Sequence, residues 1–219
     1  MGELCINYTG AEMYSSDEYQ KTMGGAYILV PVANEYRDEE GEVQGKWSPE
    51  YTEPVLNLID EFIAAHTNGV GLRFLLGNSN GATFTFTLAT AAPDRFDVLV
   101  PVGTSLIPDD SVIDVFDEKG IFLFYCNGKH DEIMLYEEEI KARIPRLSSM
   151  KKNFIFTPDW VYNGDKGIAS INFGFEMGQH CLMNEVQSNL MFDDGTPMEP
   201  RLPRGLTGWI ADYVSSSRK

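Results

Sequence analysis

Leu72-Arg73-Phe74-Leu75-Leu76-Gly77-Asn78-Ser79-Asn80-Gly81-Ala82 is the stretch on which the fold turns. An apolar run with the character of a buried parallel strand passes straight into Gly-x-Ser-x-Gly. The segment after it, rich in Thr, Ala and Phe, suits a helix. The pentapeptide alone is a common chance match. A strand before it and a helix after it are the context that a nucleophile elbow demands. So tight a turn leaves no room for side chains two positions either side of the serine, a constraint that Gly77 and Gly81 would satisfy. Ser79 is then expected in a strained conformation, its hydroxyl above the sheet at the positive end of the following helix.

The alternation continues on both sides of this element. Glu3 to Tyr8 and Ala26 to Val32 read as strands, with a polar helix from Ser15 to Met23 between them. Val55, Leu58, Ile59, Phe62 and Ile63 recur at helical spacing behind Thr52 as N-cap and Pro54 in the first turn. The helix after Ser79 runs to about Ala92 and stops at Pro93. Val98 to Val102, Ile121 to Cys126 and Asn153 to Thr157 are further strands. Glu132 to Ile144 reads as a helix with a basic last turn and Pro145 after it. Leu206 to Val214 closes the chain as a helix with Trp209, Ile210, Tyr213 and Val214 on one side. Strands alternating with helices predict an α/β fold with a mainly parallel central sheet and helices on both faces. At 219 residues and 43% hydrophobic content, residues 1–219 are expected to form one domain.

The formal net charge of −16 argues against a nucleic-acid partner or an anionic membrane surface. One dense acidic run, from Glu35 to Glu42, has no His or Cys among its carboxylates and reads as a solvated loop, not a metal site. The three cysteines, Cys5, Cys126 and Cys181, form no paired framework and point to reduced thiols in a cytoplasmic protein. The N-terminus has neither a basic region nor an apolar signal stretch.

A serine nucleophile needs a base to take its proton and a carboxylate to orient that base. Only three histidines compete for the first role. His66 falls at the end of the amphipathic helix, where the dipole accounts for it. His130 precedes the acid candidate and would have to fold back on its own neighbour. His180, in Gly178-Gln179-His180-Cys181, lies in an irregular segment after the final strand, where a scaffold places catalytic side chains. For the acid, Asp131 sits just beyond the Ile121–Cys126 strand; Glu132 beside it is the alternative, and Asp131 could equally cap the following helix. The order Ser79, Asp131, His180 is nucleophile, acid, base, as this architecture uses it.

These residues, with Asn127-Gly128-Lys129-His130-Asp131 after a strand and Pro93-Asp94-Arg95-Phe96-Asp97 leading into the next, carry a resemblance. Over nearly its whole length the chain resembles the α/β-hydrolase superfamily, in particular its compact esterases of the feruloyl-esterase and polyhydroxybutyrate-depolymerase-like branch. The resemblance implies hydrolysis of carboxylic esters through an acyl-serine intermediate, with no metal or organic cofactor. It also implies an oxyanion hole, one donor being the backbone N–H of Asn80. The second donor would come from Asn7-Tyr8-Thr9-Gly10-Ala11-Glu12 and is assigned to Gly10, with Thr9 and Ala11 as alternatives. Tyr8 and Thr9 replace the usual His-Gly there. Family members carry about two strands before this point, so the early strands look missing; an uncovered sheet edge would favour a homodimer. Trp47, Trp160 and Tyr162 are candidates for contacting a sugar or phenolic acid, or are ordinary packing. The expected substrate is an acyl or feruloyl ester of a carbohydrate. A peptidase of the prolyl-oligopeptidase type and a catalytically silent binding protein on the same fold are the competing readings.

Overall fold

The computed structural model describes residues 11–34, 36–37, 39, 41, 43–66, 69–162 and 174–217. Two short helices, α1 (Ala11–Ser15) and α2 (Asp17–Met23), open it, where one helix from Ser15 was expected. Ser16 caps α2 by accepting the Tyr19 N–H, and Gly24 ends it in the left-handed conformation. Within the acidic run, β1 (Tyr36–Arg37) pairs antiparallel with β2 (Val43–Gln44), which lies just after it. After the 3-10 turn Pro49–Tyr51 comes α3 (Thr52–Ala65), with Tyr51 rather than Thr52 at the N-cap position.

The sheet consists of β3 (Phe74–Asn78), β4 (Val98–Val102), β5 (Phe122–Cys126) and β6 (Asn153–Phe156), parallel and in that order. Helix α4 (Asn80–Ala91) joins β3 to β4. Helix α5 (Asp110–Glu118), which the sequence reading did not identify, joins β4 to β5. Helix α6 (Ile144–Ser148) precedes β6, and α7 (Met183–Gln187) and α8 (Gly205–Ser217) follow it.

Alternation of side chains along the strands divides the core between two faces. Val98, Val100, Val102, Phe124 and Cys126 face one layer with Tyr19, Met23, Leu182, Val186, Leu206 and Ile210. Leu99, Leu123 and Tyr125 face the other with Phe84, Leu88, Ile113, Phe116 and Leu147. Each fully buried aliphatic side chain contributes roughly 1.5–3 kcal/mol. Trp209 of α8 packs edge-on against Phe122 and Phe124, at 4.7 and 4.9 Å between ring centres. Pro101 lies inside a central strand, and β4–β5 pairing lapses there, between Leu99↔Leu123 and Val102↔Cys126. Proline has no N–H to give to the ladder.

Two expected elements differ. Ala26 to Val32 forms no strand; it is irregular, and Tyr27, Ile28, Leu29 and Val32 are exposed. Pro31 lacks an N–H, and no strand among the described residues pairs with the segment. The expected helix over 132–144 is replaced by an irregular stretch, a wide turn at Tyr136–Ile140, a tight one at Lys141–Arg143, and then α6. Pro145 opens α6 instead of stopping a helix before it, which suits its fixed φ. The expected strand from Glu3 to Tyr8 lies outside the described residues.

Candidate active site

The carboxyl ends of β3, β4 and β5 carry the site, and backbone bonds extend the ladder past each strand. Ser79 N–H donates to Val102 O at 2.8 Å, Gly103 N–H to Cys126 O at 2.9 Å, and Asn127 N–H to Phe156 O at 3.1 Å. The loops above the sheet therefore start from fixed positions. Between β3 and α4, Ser79 takes φ 53° and ψ −118°, a region costly for any residue with a side chain. A Cβ at Gly77 would lie 2.2 Å from the Gly81 carbonyl oxygen, so glycine is obligatory there. Gly81 is different. Outside its own helix, a Cβ at that position would meet only the Trp47 ring, at 4.0 Å, so the expected collision is absent.

Ser79, His180 and Asp131 meet in one chain of hydrogen bonds. The Ser79 Oγ lies 2.9 Å from His180 Nε2. His180 Nδ1 lies 3.0 and 2.9 Å from the two Asp131 carboxylate oxygens. An ionised carboxylate can only accept, so Nδ1 carries the ring proton and the Nε2 lone pair faces the serine hydroxyl. Both partners are buried, His180 to 2% and Asp131 to 4% exposure, which keeps water from competing for these bonds. Asp131 Oδ1 also accepts the N–H groups of Ile133 and Met134, each at 2.8 Å. It thus holds its own turn as well as the ring, and Glu132 does not contact the imidazole.

Asn80, whose N–H was the expected oxyanion donor, is the first residue of α4. Among the described residues that N–H has no acceptor, as is normal in a first helical turn. The Asn80 side chain is engaged at both ends: it accepts Trp47 N–H at 2.6 Å and donates to Trp47 O at 2.9 Å. Trp47 itself stacks on Phe84 at 4.8 Å and meets Tyr51 edge-on, in the packing of the α4 face. Thr9 and Gly10 lie outside the described residues, and Ala11 opens α1.

Trp160 is 54% exposed, and His130 stacks on it at 4.2 Å. Beside it lies a cavity of about 280 Å³ bordered by Phe156, Pro158, Trp160, Tyr162 and Arg201. The strip is joined to the histidine loop: Gln179 accepts Val161 N–H at 2.9 Å and donates to Val161 O at 3.3 Å. His66 caps the end of α3, its ring packed against Phe62 and Tyr27, with no hydrogen bond to Ser79, Asp131 or His180.

Gly103, Gln179 and Glu132 lie against the His180 loop or ring, placements that the sequence reading did not anticipate. Gly103 has φ 68°, and a Cβ there would stand 3.5 Å from His180 Cε1. The available signal was position: a glycine directly after a buried strand, on the side where Ser79 follows β3.

No protein-family model matches the sequence, and no curated protein matches it. Solved structures do. SOBER1 of Arabidopsis thaliana superposes with a TM-score of 0.54 at 18% identity, covering 84% of this chain and 89% of that one. A single-residue variant of SOBER1 gives 0.55 at 18% identity, with 84% and 90% covered. A thermostable esterase gives 0.45 at 14% identity; 64% of this chain aligns, spanning only 34% of that protein. With four parallel strands, helices on both faces and a strand–serine–helix turn at the sheet's carboxyl edge, the chain has the α/β-hydrolase fold.

Proposed function

We propose that this protein is a serine hydrolase that cleaves carboxylic esters through an acyl-serine intermediate. The observation that carries the reading is the buried relay Ser79–His180–Asp131, with 2.9 Å at the serine and 2.9 Å at the carboxylate. Ser79 Oγ attacks the ester carbonyl while His180 Nε2 takes its proton. Asp131 holds the ring and stabilises the imidazolium that forms. The Asn80 N–H, at the positive end of α4, faces the developing oxyanion, a donor of the kind worth about 3 to 4 kcal/mol. His180 then returns its proton to the leaving alcohol, and the acyl-serine remains. In the second half a water molecule gives a proton to His180 and attacks the acyl carbon. The proton passes back to Ser79 Oγ as the acid leaves.

Trp160 and Tyr162, 54% and 67% exposed, offer flat faces suited to a sugar ring or phenolic acid, so the substrate we infer is an acyl or feruloyl ester of a carbohydrate. Hydrolysis of p-nitrophenyl acetate and of methyl ferulate, against a proline-containing peptide anilide, tests the class. Turnover of the esters that is lost in Ser79→Ala is expected. Turnover of the anilide alone would replace the esterase reading with the peptidase one.

A further inference from the structure

Glu132 directly follows the acid of the triad, yet its carboxylate points at backbone. Oε2 accepts His180 N–H at 2.9 Å, and both oxygens accept Gln179 N–H at 3.1 Å. Hydrogen bonds to an ionised acceptor are about twice as strong as neutral ones. One dipeptide therefore grips the same histidine twice, Asp131 by its ring and Glu132 by its main chain. The grip matters because of where His180 sits. Residues 174–182 contain no helix or strand, so no ladder fixes the His180 Cα. Other restraints on the loop include the His180 N–H to Met177 O bond of 3.1 Å, the Gln179–Val161 pairing and the burial of Met177, Cys181 and Leu182. At the docking point a Cβ on Gly128 would already stand 3.2 Å from Gln179 O, so the two loops touch closely.

We propose that Glu132 is a positioning residue that holds the backbone of the His180 loop and so sets the reach of the imidazole to Ser79. This rests on the serine-hydrolase reading above. It acts on activation of the nucleophile and leaves substrate binding alone, because the hydrogen bonds of the carboxylate among the described residues go to the 179–180 backbone.

The test compares wild type, Glu132→Gln and Glu132→Ala in two measurements: the second-order rate of fluorophosphonate capture at Ser79, and kcat and KM for p-nitrophenyl acetate. Thermal midpoints are recorded alongside. Since a misplacement of about 1 Å can slow catalysis a hundredfold, Glu132→Ala is expected to lower capture rate and kcat together by about 10- to 100-fold, with KM within about twofold. Glu132→Gln keeps one oxygen for the His180 N–H and is expected between the two. A carboxylate with a merely structural role would lower the thermal midpoint and leave both rates per folded molecule unchanged, which overturns the proposal. If Glu132→Ala does not fold, the isosteric Glu132→Gln decides: a slower capture at unchanged KM supports the clamp, and wild-type capture overturns it. Failure of wild type itself to be captured would instead overturn the hydrolase reading, and the clamp with it.

Discussion

Gly77 and Gly81 belong to one pentapeptide but answer to different constraints. The first is hemmed in by the Gly81 carbonyl, 2.2 Å from where its Cβ would be; the second faces open space and the edge of Trp47. Gly77→Ala should therefore fail to give folded, active protein. Gly81→Ala should keep its fold and gain up to about 1 kcal/mol, since alanine is the better helix former. Thermal midpoints of the two variants check this, and equal loss in both would contradict the geometry. Tyr125 offers a second residue-scale test. Its ring is fully buried and its hydroxyl donates to Thr104 O at 2.6 Å; burial pushes the phenol well above its ordinary range, so it stays a donor. Tyr125→Phe leaves that carbonyl without this donor and is expected to lose about 1–3 kcal/mol in urea denaturation. That Ser79, Asp131 and His180 would meet was legible because only three histidines and a fixed order had to be sorted. Glu132, left open as the alternative acid, meets the main chain of the histidine loop instead, since spacing cannot tell whether a carboxylate will meet a ring or a main chain.

At the scale of elements, the sheet was readable where strands are buried on both faces, because continuous apolar runs such as Val98–Val102 have few other uses. The same signal misled at Ala26–Val32, where β-branched residues are present but Pro31 lacks an N–H and no partner strand is found among the described residues. The 132–144 helix does not form even though Asp131 accepts the Ile133 and Met134 N–H groups as an N-cap would; the Glu132 side chain is taken up by the histidine loop, and the chain turns irregularly before α6. The segment before α8 carries a pH-dependent restraint. Arg201 binds both Glu199 oxygens at 2.9 Å and holds that carboxyl below its ordinary value of 4.5. A carboxyl depressed in the folded state stabilises the fold above its unfolded value, and that contribution fades as the pH falls through the lower folded value. Glu199→Gln is thus expected to lower stability by about 0.5–1 kcal/mol at pH 7, with the difference from wild type shrinking steadily as the pH falls below 4.5. A difference that does not shrink on acidification would show that packing, not charge, is responsible.

Over the whole molecule, two apolar layers fix four parallel strands, and the strand ends bring three loops to one edge. Residues 79, 131 and 180 meet only because of that arrangement, being 101 and 49 positions apart in the chain along the relay. The fold class was legible because alternation of strand and helix is a global signal. Which histidine loop would fold over Ser79 was legible only by elimination, because irregular segments carry no period. Asp131→Asn should leave the fold in place and lower kcat by about ten-thousandfold, as expected when the ring loses the carboxylate that selects its tautomer. The decisive measurement is intact-mass analysis and peptide mapping after treatment of the folded protein with a fluorophosphonate. The account predicts one adduct per chain on Ser79, none in Ser79→Ala, and capture slowed by orders of magnitude in His180→Ala. Folded wild-type protein that takes up no adduct at Ser79 would contradict it.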